Sequence, residues 1–350
     1  MKMKNDIPKR KDGGIKWNFR PVNQEELEAC LKDPLWRVCS GALYKIIIKG
    51  DDKKEKKGDD KKPKEDLVVF FQPNRSQKRL LANLWHRNVI LKARQLGFTT
   101  LICILWLDTA LFSENMRCGI IAQDREAAEV IFRDKVKFAY ENLPEHLKKG
   151  MPLARDSASE LLFAHNNSSI RVATSMRSGT IHRLHISEFG KICAKYPDKA
   201  KEVVTGSIPA VPKNGILIIE STAEGREGEF YDITMRAKSA KDTAKELTVR
   251  DYRFHFFAWW DANEYEMPAD SVKLTDKDNL YFERIESQIG QPISPEKRAW
   301  YVATRDADFS GSEEKMWQEY PSTPEEAFQQ STEGCYYTEQ LTKARKEGRI

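Results

Sequence analysis

Val89-Ile90-Leu91-Lys92-Ala93-Arg94-Gln95-Leu96-Gly97-Phe98-Thr99-Thr100 is the stretch whose reading decides the fold. Three apolar residues lead into Lys92, and Leu101 to Leu111 beyond the loop is strongly apolar. The pattern predicts a buried strand, a tight turn, and a helix whose first turn carries Thr99 and Thr100. The first N–H groups of a helix have no intrahelical partner, and the dipole is positive there, so such a turn suits phosphate. The usual phosphate loop reads G-x-x-x-x-G-K-[ST]. Here Gly97 and Thr99 keep the second glycine and the hydroxyl, while Phe98 stands where the lysine belongs. Lys92 occupies the place of the first glycine, and a long ammonium side chain can reach a bound phosphate from either end of a loop. By itself K-x-x-x-x-G-x-T also fits an ordinary strand-to-helix turn around a buried glycine.

The rest of the chain narrows the choice. Its 350 residues suit one large or two medium domains with ample apolar content for a core. No run of 18 apolar residues occurs, so no transmembrane helix is expected. Six cysteines without C-x-x-C spacing predict reduced thiols rather than a disulfide scaffold or zinc site. The net charge of +5 comes from residues 1 to 20, with seven basic against two acidic side chains. The body is balanced, so global charge does not mark it as a nucleic-acid binder.

Lys49 to Asp66 is almost wholly Lys, Asp, Glu and Gly. It joins strands over Tyr44 to Ile48 and Leu67 to Phe71, and its composition predicts a disordered hairpin tip. Further strands are expected at Arg117 to Gln123, Leu184 to Glu188 and Gly215 to Glu220, with helical stretches between. Short apolar strands alternating with helices argue for a mostly parallel α/β sheet covered on both faces. Ligand sites in such sheets sit at the carboxyl ends of the strands. Lys92, Ser187-Glu188 and Ser221-Thr222 all fall at such ends, so they are expected to converge. Phe254 to Trp260 reads as one aromatic core strand, and helices follow at Asp276 to Ile289, Ser294 to Arg305 and Ser312 to Gln318. Tyr336, Tyr337 and an amphipathic tail end the chain at Ile350.

Five segments together resemble the ATPase half of the terminase large subunit, the viral DNA-packaging motor. They are Asn74-Arg75-Ser76-Gln77, the A-R-Q-L-G-F-T-T loop, S-G-T-I-H-R-L-H-I-S-E-F at 178 to 189, I-E-S-T-A-E-G at 219 to 225, and E-Y-P-S-T-P-E-E-A-F at 319 to 328. The resemblance implies a P-loop NTPase fold, with a central mostly parallel sheet flanked by helices and a small helical linker subdomain. The divisions it suggests are a basic arm and short helix over 1–40, an ATPase core over 41–250, and a linker or lid over 251–350. The nuclease domain of full-length terminases is expected to be absent, and with it DNA cleavage.

The resemblance also assigns roles. ATP and Mg2+ are the expected cofactors. Gln77 would meet adenine, whose edge a Gln amide can match. The backbone of Ala93, Arg94, Gln95, Leu96, Gly97, Phe98, Thr99 and Thr100 would cradle the phosphates, with Lys92 adding a mobile charge and Arg94 bearing on the γ-phosphate. Thr99 would hold Mg2+, aided through water by Ser187, which stands where the family's metal-binding Asp normally precedes the catalytic Glu. Glu188 would position or deprotonate the attacking water. Ser221 and Thr222 fall in the family's coupling motif, and hydroxyls at a helix N-terminus are the alternative for them. His182 and His185 read as packed or solvated.

The implied function is an ATPase motor driving double-stranded DNA into a procapsid, gripping phosphates without sequence preference. The implied partners are duplex DNA, the portal protein, the small terminase subunit and further copies in a ring, with no membrane. The implied place is the cytoplasm of an infected host cell. Two alternatives stay open: another DNA-dependent P-loop ATPase such as a helicase, or a non-catalytic module that binds the portal.

Overall fold

Eight strands form the central sheet of the computed structural model, which describes residues 7–48, 67–177 and 179–329. A separate antiparallel pair, β1 (Lys45–Ile48) and β2 (Leu67–Phe70), precedes it. In chain order the central strands are β3 (Arg87–Lys92), β4 (Arg117–Ile121), β5 (Leu153–Asp156), β6 (Glu160–Phe163), β7 (Ser169–Ala173), β8 (Arg183–Ser187), β9 (Ile216–Ser221) and β10 (Tyr252–Phe257). Their spatial order is β10-β3-β9-β8-β4-β7-β6-β5. Pairing is parallel from β10 through β7, and β6 and β5 close one edge antiparallel.

The period of two along each strand sorts side chains into two cores. Ile90, Ile120, Ile218 and Phe257 point to one face, beneath the helix Phe98–Phe112. Val89, Leu91, Ile186, Leu217 and Ile219 point to the other, against the helices Phe189–Lys195 and Glu229–Asp242. The same alternation decides the site. Lys92 follows Ile90, Glu220 follows Ile218, and His185 and Ser187 alternate with Leu184 and Ile186. All four polar residues therefore share the face covered by Phe98–Phe112.

The sheet runs past residue 250, where sequence placed the end of the ATPase core. β10 pairs with β3 over its whole length, from Tyr252 opposite Arg87 to Phe257 opposite Lys92. An aromatic strand has an apolar surface to bury, and the open side of β3 offers one. The helices Asp276–Ile289, Pro295–Asp308 and Glu313–Glu319 then pack near the loop end of that edge. The helix Glu229–Asp242 and the strand β5 carry too weak a pattern to be read from sequence. The expected disordered tip at 49–66 and the tail with Tyr336 and Tyr337 lie outside the described residues, as do residues 1–6 of the basic arm. No described helix is long and apolar enough to cross a membrane.

Candidate nucleotide site

The loop between β3 and its helix is held at both ends and open in the middle. Ala93 N–H donates to Phe257 O at 2.8 Å and Arg94 N–H to Glu319 O at 2.9 Å. Tyr265 donates its hydroxyl to Arg94 O. Phe98 is buried and lies against the Phe257 ring, with centroids 4.5 Å apart. An apolar anchor thus fills the position where the usual loop has its lysine. Gln95 and Gly97 take left-handed backbone, at φ 59° and 71°, and such turns direct successive N–H groups into one concavity. Among the described residues, the backbone N–H groups of Gln95 through Thr100 donate to no protein acceptor.

Gln77 braces this loop. Its Nε2 donates to Gly97 O at 2.8 Å, and its Oε1 accepts Asn74 N–H at 2.9 Å, closing a capping box on the helix Arg75–Ala82. Both polar ends of the buried amide are engaged within the protein, and the Nε2 bond directs the side chain at the loop.

Beneath the loop lies a charge cluster. Lys92 Nζ is 3.0 Å from Glu188 Oε1 and 3.2 Å from Glu220 Oε2. Glu220 Oε1 accepts hydrogen bonds from Thr99 Oγ1 at 2.9 Å and Ser187 Oγ at 2.8 Å, and His185 Nε2 lies 3.3 Å away. Burial alone would raise the Glu220 pKa, but the Lys92 charge and the His185 and Ser187 contacts hold it far below the usual carboxylate range. Burial likewise opposes the Lys92 charge, and Glu188 and Glu220 overcome it, holding the ammonium above its ordinary value. Both groups are therefore ionised at neutral pH.

Glu188 itself sits at φ 53° and ψ 47°, directly after β8. Left-handed backbone costs a non-glycine residue about 1–2 kcal/mol. The turn ends the strand and leaves the carboxylate a quarter exposed, between Lys92 and Lys191 Nζ at 3.3 Å.

The remaining expected residues are spread around this cluster. Arg94 is half exposed, its guanidinium 3.8 Å from Glu319. Thr100 accepts a hydrogen bond from Lys135 Nζ at 2.8 Å, which brings a further cation to the first turn of the loop helix. Lys135 lies in a π-helical stretch, Phe132–Lys137, whose spacing sequence periodicity does not reveal. Ser221 and Thr222 are fully buried, and their hydroxyls find no partner among the described residues. They cap no helix, since the next one begins at Glu229. His182 accepts Arg117 N–H at its Nδ1.

Glu220 was missed because Gly215 to Glu220 reads as an apolar strand ending in an acid. The signal lay in the alternation: Ile218 faces inward, so Glu220 must as well, and a buried acid needs a counter-charge. The E-Y-P-S-T-P-E-E-A-F segment also becomes intelligible. Ser322 N–H donates to Glu326 Oε2 at 2.6 Å, Tyr281 OH to Glu326 Oε1 at 2.7 Å, and Trp259 Nε1 to Ser322 Oγ at 2.9 Å. This buried knot fastens the C-terminal helices beside β10, and through Glu319 it holds Arg94.

The donors at the loop, two hydroxyls and a carboxylate, are all oxygen, which suits Mg2+ rather than a softer metal. Among the described residues no group of three or more His, Cys, Asp and Glu is placed to hold a metal unaided.

The chain is structurally similar to phage large terminase ATPase domains. The Thermus phage P74-26 large terminase ATPase domain aligns at 17% identity and TM-score 0.48, covering 72% of this chain and 94% of that one. The HK97 bacteriophage large terminase aligns at 16% and 0.43, covering 68% and 46%. A DEAD box protein from the hyperthermophile Methanococcus jannaschii aligns at 15% and 0.33, covering 61% and 54%. No family model and no curated protein matches the sequence.

Proposed function

We propose that this chain is a Mg2+-dependent ATPase and the motor part of a terminase large subunit, moving double-stranded DNA into a procapsid. The observation that carries the reading is the meeting of Lys92 and Glu188 beneath a loop whose N–H groups from Gln95 to Thr100 face no acceptor among the described residues. The five sequence segments, in the order and spacing of that family, supply the rest of the support.

In this reading the N–H groups of residues 95–100 bind the triphosphate, and the dipole of the 15-residue helix Phe98–Phe112 adds to the attraction. Thr99 and Ser187 are the residues that would face Mg2+, whose chemistry is to neutralise phosphate charge during transfer to water. Lys92 leaves Glu188 to meet a phosphate, since phosphate and carboxylate compete for one ammonium. Glu188, once released, orients water and accepts its proton. Arg94 faces solvent at the rim, where the γ-phosphate would lie. Ser221 and Thr222 lie buried between the nucleotide strands and the far-side helices, in place to pass a change at Glu220 onward. The portal protein, the small terminase subunit and a ring of further copies are the partners of this reading, and the host cytoplasm its setting.

Hydrolysis of ATP by the purified chain, measured with and without linear duplex DNA, tests the assignment. Stimulation by duplex of any sequence, without strand separation, is expected of a packaging motor. Strand separation would favour the helicase alternative, and no hydrolysis would leave the portal-binding module.

A further inference from the structure

We propose that Glu220 supplies, from the neighbouring strand, the carboxylate that Ser187 lacks, and that it acts on magnesium nucleotide through the hydroxyls of Thr99 and Ser187. This rests on the nucleotide-site reading above and gives one residue of that site a role.

The strand register carries the idea. Ser187 and Glu220 are direct partners across the parallel pair β8 and β9, and both side chains point to the face under the loop helix. A carboxylate at 220 therefore delivers negative charge within a hydrogen bond of position 187, as Ser187 Oγ to Glu220 Oε1 at 2.8 Å shows. The serine is short enough to leave room for it.

The direction of the hydrogen bonds adds a second argument. A hydroxyl has one proton and two lone pairs. Thr99 and Ser187 both give their proton to the same oxygen of Glu220. Their lone pairs are then left to accept, which is the form that faces a cation or its water. Carboxylates that orient a ligating group in this way also raise its basicity. The other oxygen, Oε2, faces Lys92 at 3.2 Å, so Glu220 touches both the metal-facing hydroxyls and the phosphate-facing ammonium. A buried counter-ion for Lys92 alone would not need to collect two hydroxyls from separate elements.

The test is the binding of a fluorescent, non-hydrolysable ATP analogue to the full chain as a function of Mg2+, with the ligand-free melting temperature alongside. Wild type, Glu220→Gln and the double variant Ser187→Asp/Glu220→Ser are compared. Wild type is expected to bind in a Mg2+-dependent manner. Glu220→Gln should need about 10- to 100-fold more Mg2+ for half-binding, the range for outer-shell metal partners. The double variant, with its acid moved back one strand, should return toward the wild-type requirement. An unchanged Mg2+ requirement in Glu220→Gln, even with lowered melting, would make the residue a structural counter-ion and overturn the proposal. A double variant no better than Glu220→Gln would overturn it too, and that variant alone decides the matter should Glu220→Gln fail to fold. Failure of the wild type itself to bind the analogue would instead remove the nucleotide-site reading, and the proposal with it.

Discussion

Lys92 and Glu188 meet at 3.0 Å although β9 lies between their strands. The lysine spans that strand and touches its Glu220 on the way. One ammonium thus joins the ends of three strands, and it is the group that a phosphate would compete for.

Removing that ammonium leaves Glu220 wholly buried without its lysine partner, and leaves Glu188 with Lys191 as its remaining cation. Breaking a buried pair from one side costs about 3–5 kcal/mol. Lys92→Ala should therefore lose stability by that order in urea unfolding, as well as activity. Lys92→Met with Glu220→Gln should recover much of the stability and none of the activity. A stable Lys92→Ala would show that the pair contributes little to the fold.

The same cluster sets the acid response. A carboxyl whose folded pKa is depressed contributes stability above its unfolded value and loses it as pH falls through the folded one. For Glu220 the contribution is in place above the ordinary 4.5 and erodes below it. Lys92, raised above 10.5, contributes below that value and loses it as pH rises past its folded pKa. Between the two limits the pair adds no pH dependence. The stability gap between wild type and Glu220→Gln should thus be constant near neutrality and shrink on acidification below 4.5. Melting curves across that range check it, and a gap that widens toward acid would contradict the depressed pKa.

Gly97 has φ 71°, and a Cβ there would come 2.8 Å from Gln77 Nε2. Gly97→Ala should lose about 1–2 kcal/mol to the backbone alone and displace the brace that shapes the loop. Nucleotide affinity should fall with it. Adding Gln77→Ala relieves the contact but not the strain, so stability should recover only in part. Full recovery in the double variant would mean that the backbone conformation costs nothing.

The buried hydroxyls of Ser221 and Thr222 find no partner among the described residues, and an unsatisfied buried group costs about 1–3 kcal/mol. Thr222→Val keeps the shape and removes the cost, so its melting temperature should match or exceed wild type. If the pair relays hydrolysis to DNA, basal ATP turnover should persist while stimulation by duplex falls. Unchanged stimulation would assign these hydroxyls no part in coupling.

How much of this was legible in the sequence follows from what each residue's signal depends on. Strand ends and loop can be read from apolar runs and one glycine, because both depend on local chemistry. Lys92 and Glu188 could be placed at strand ends, and strand ends converge in any parallel sheet. Glu220 could not be singled out, because its meaning depends on which strand lies beside β8 and in what register. The place of β10 in the sheet could not be read for a similar reason: it pairs with β3, and the partners Tyr252 and Arg87 are 165 residues apart in the chain. The bond from Gln77 to the Gly97 carbonyl could not be read either, because it depends on how the helix Arg75–Ala82 packs on the loop.

Steady-state ATP hydrolysis by wild type beside Glu188→Gln tests the central claim most directly. The substitution keeps the size and one of the two acceptor oxygens and removes the proton acceptor, and general-base catalysis contributes about 10²–10⁴-fold. Wild type is predicted to turn over, and Glu188→Gln to bind ATP with turnover reduced by at least the lower figure. No turnover in wild type, or equal turnover in the two, would contradict the account.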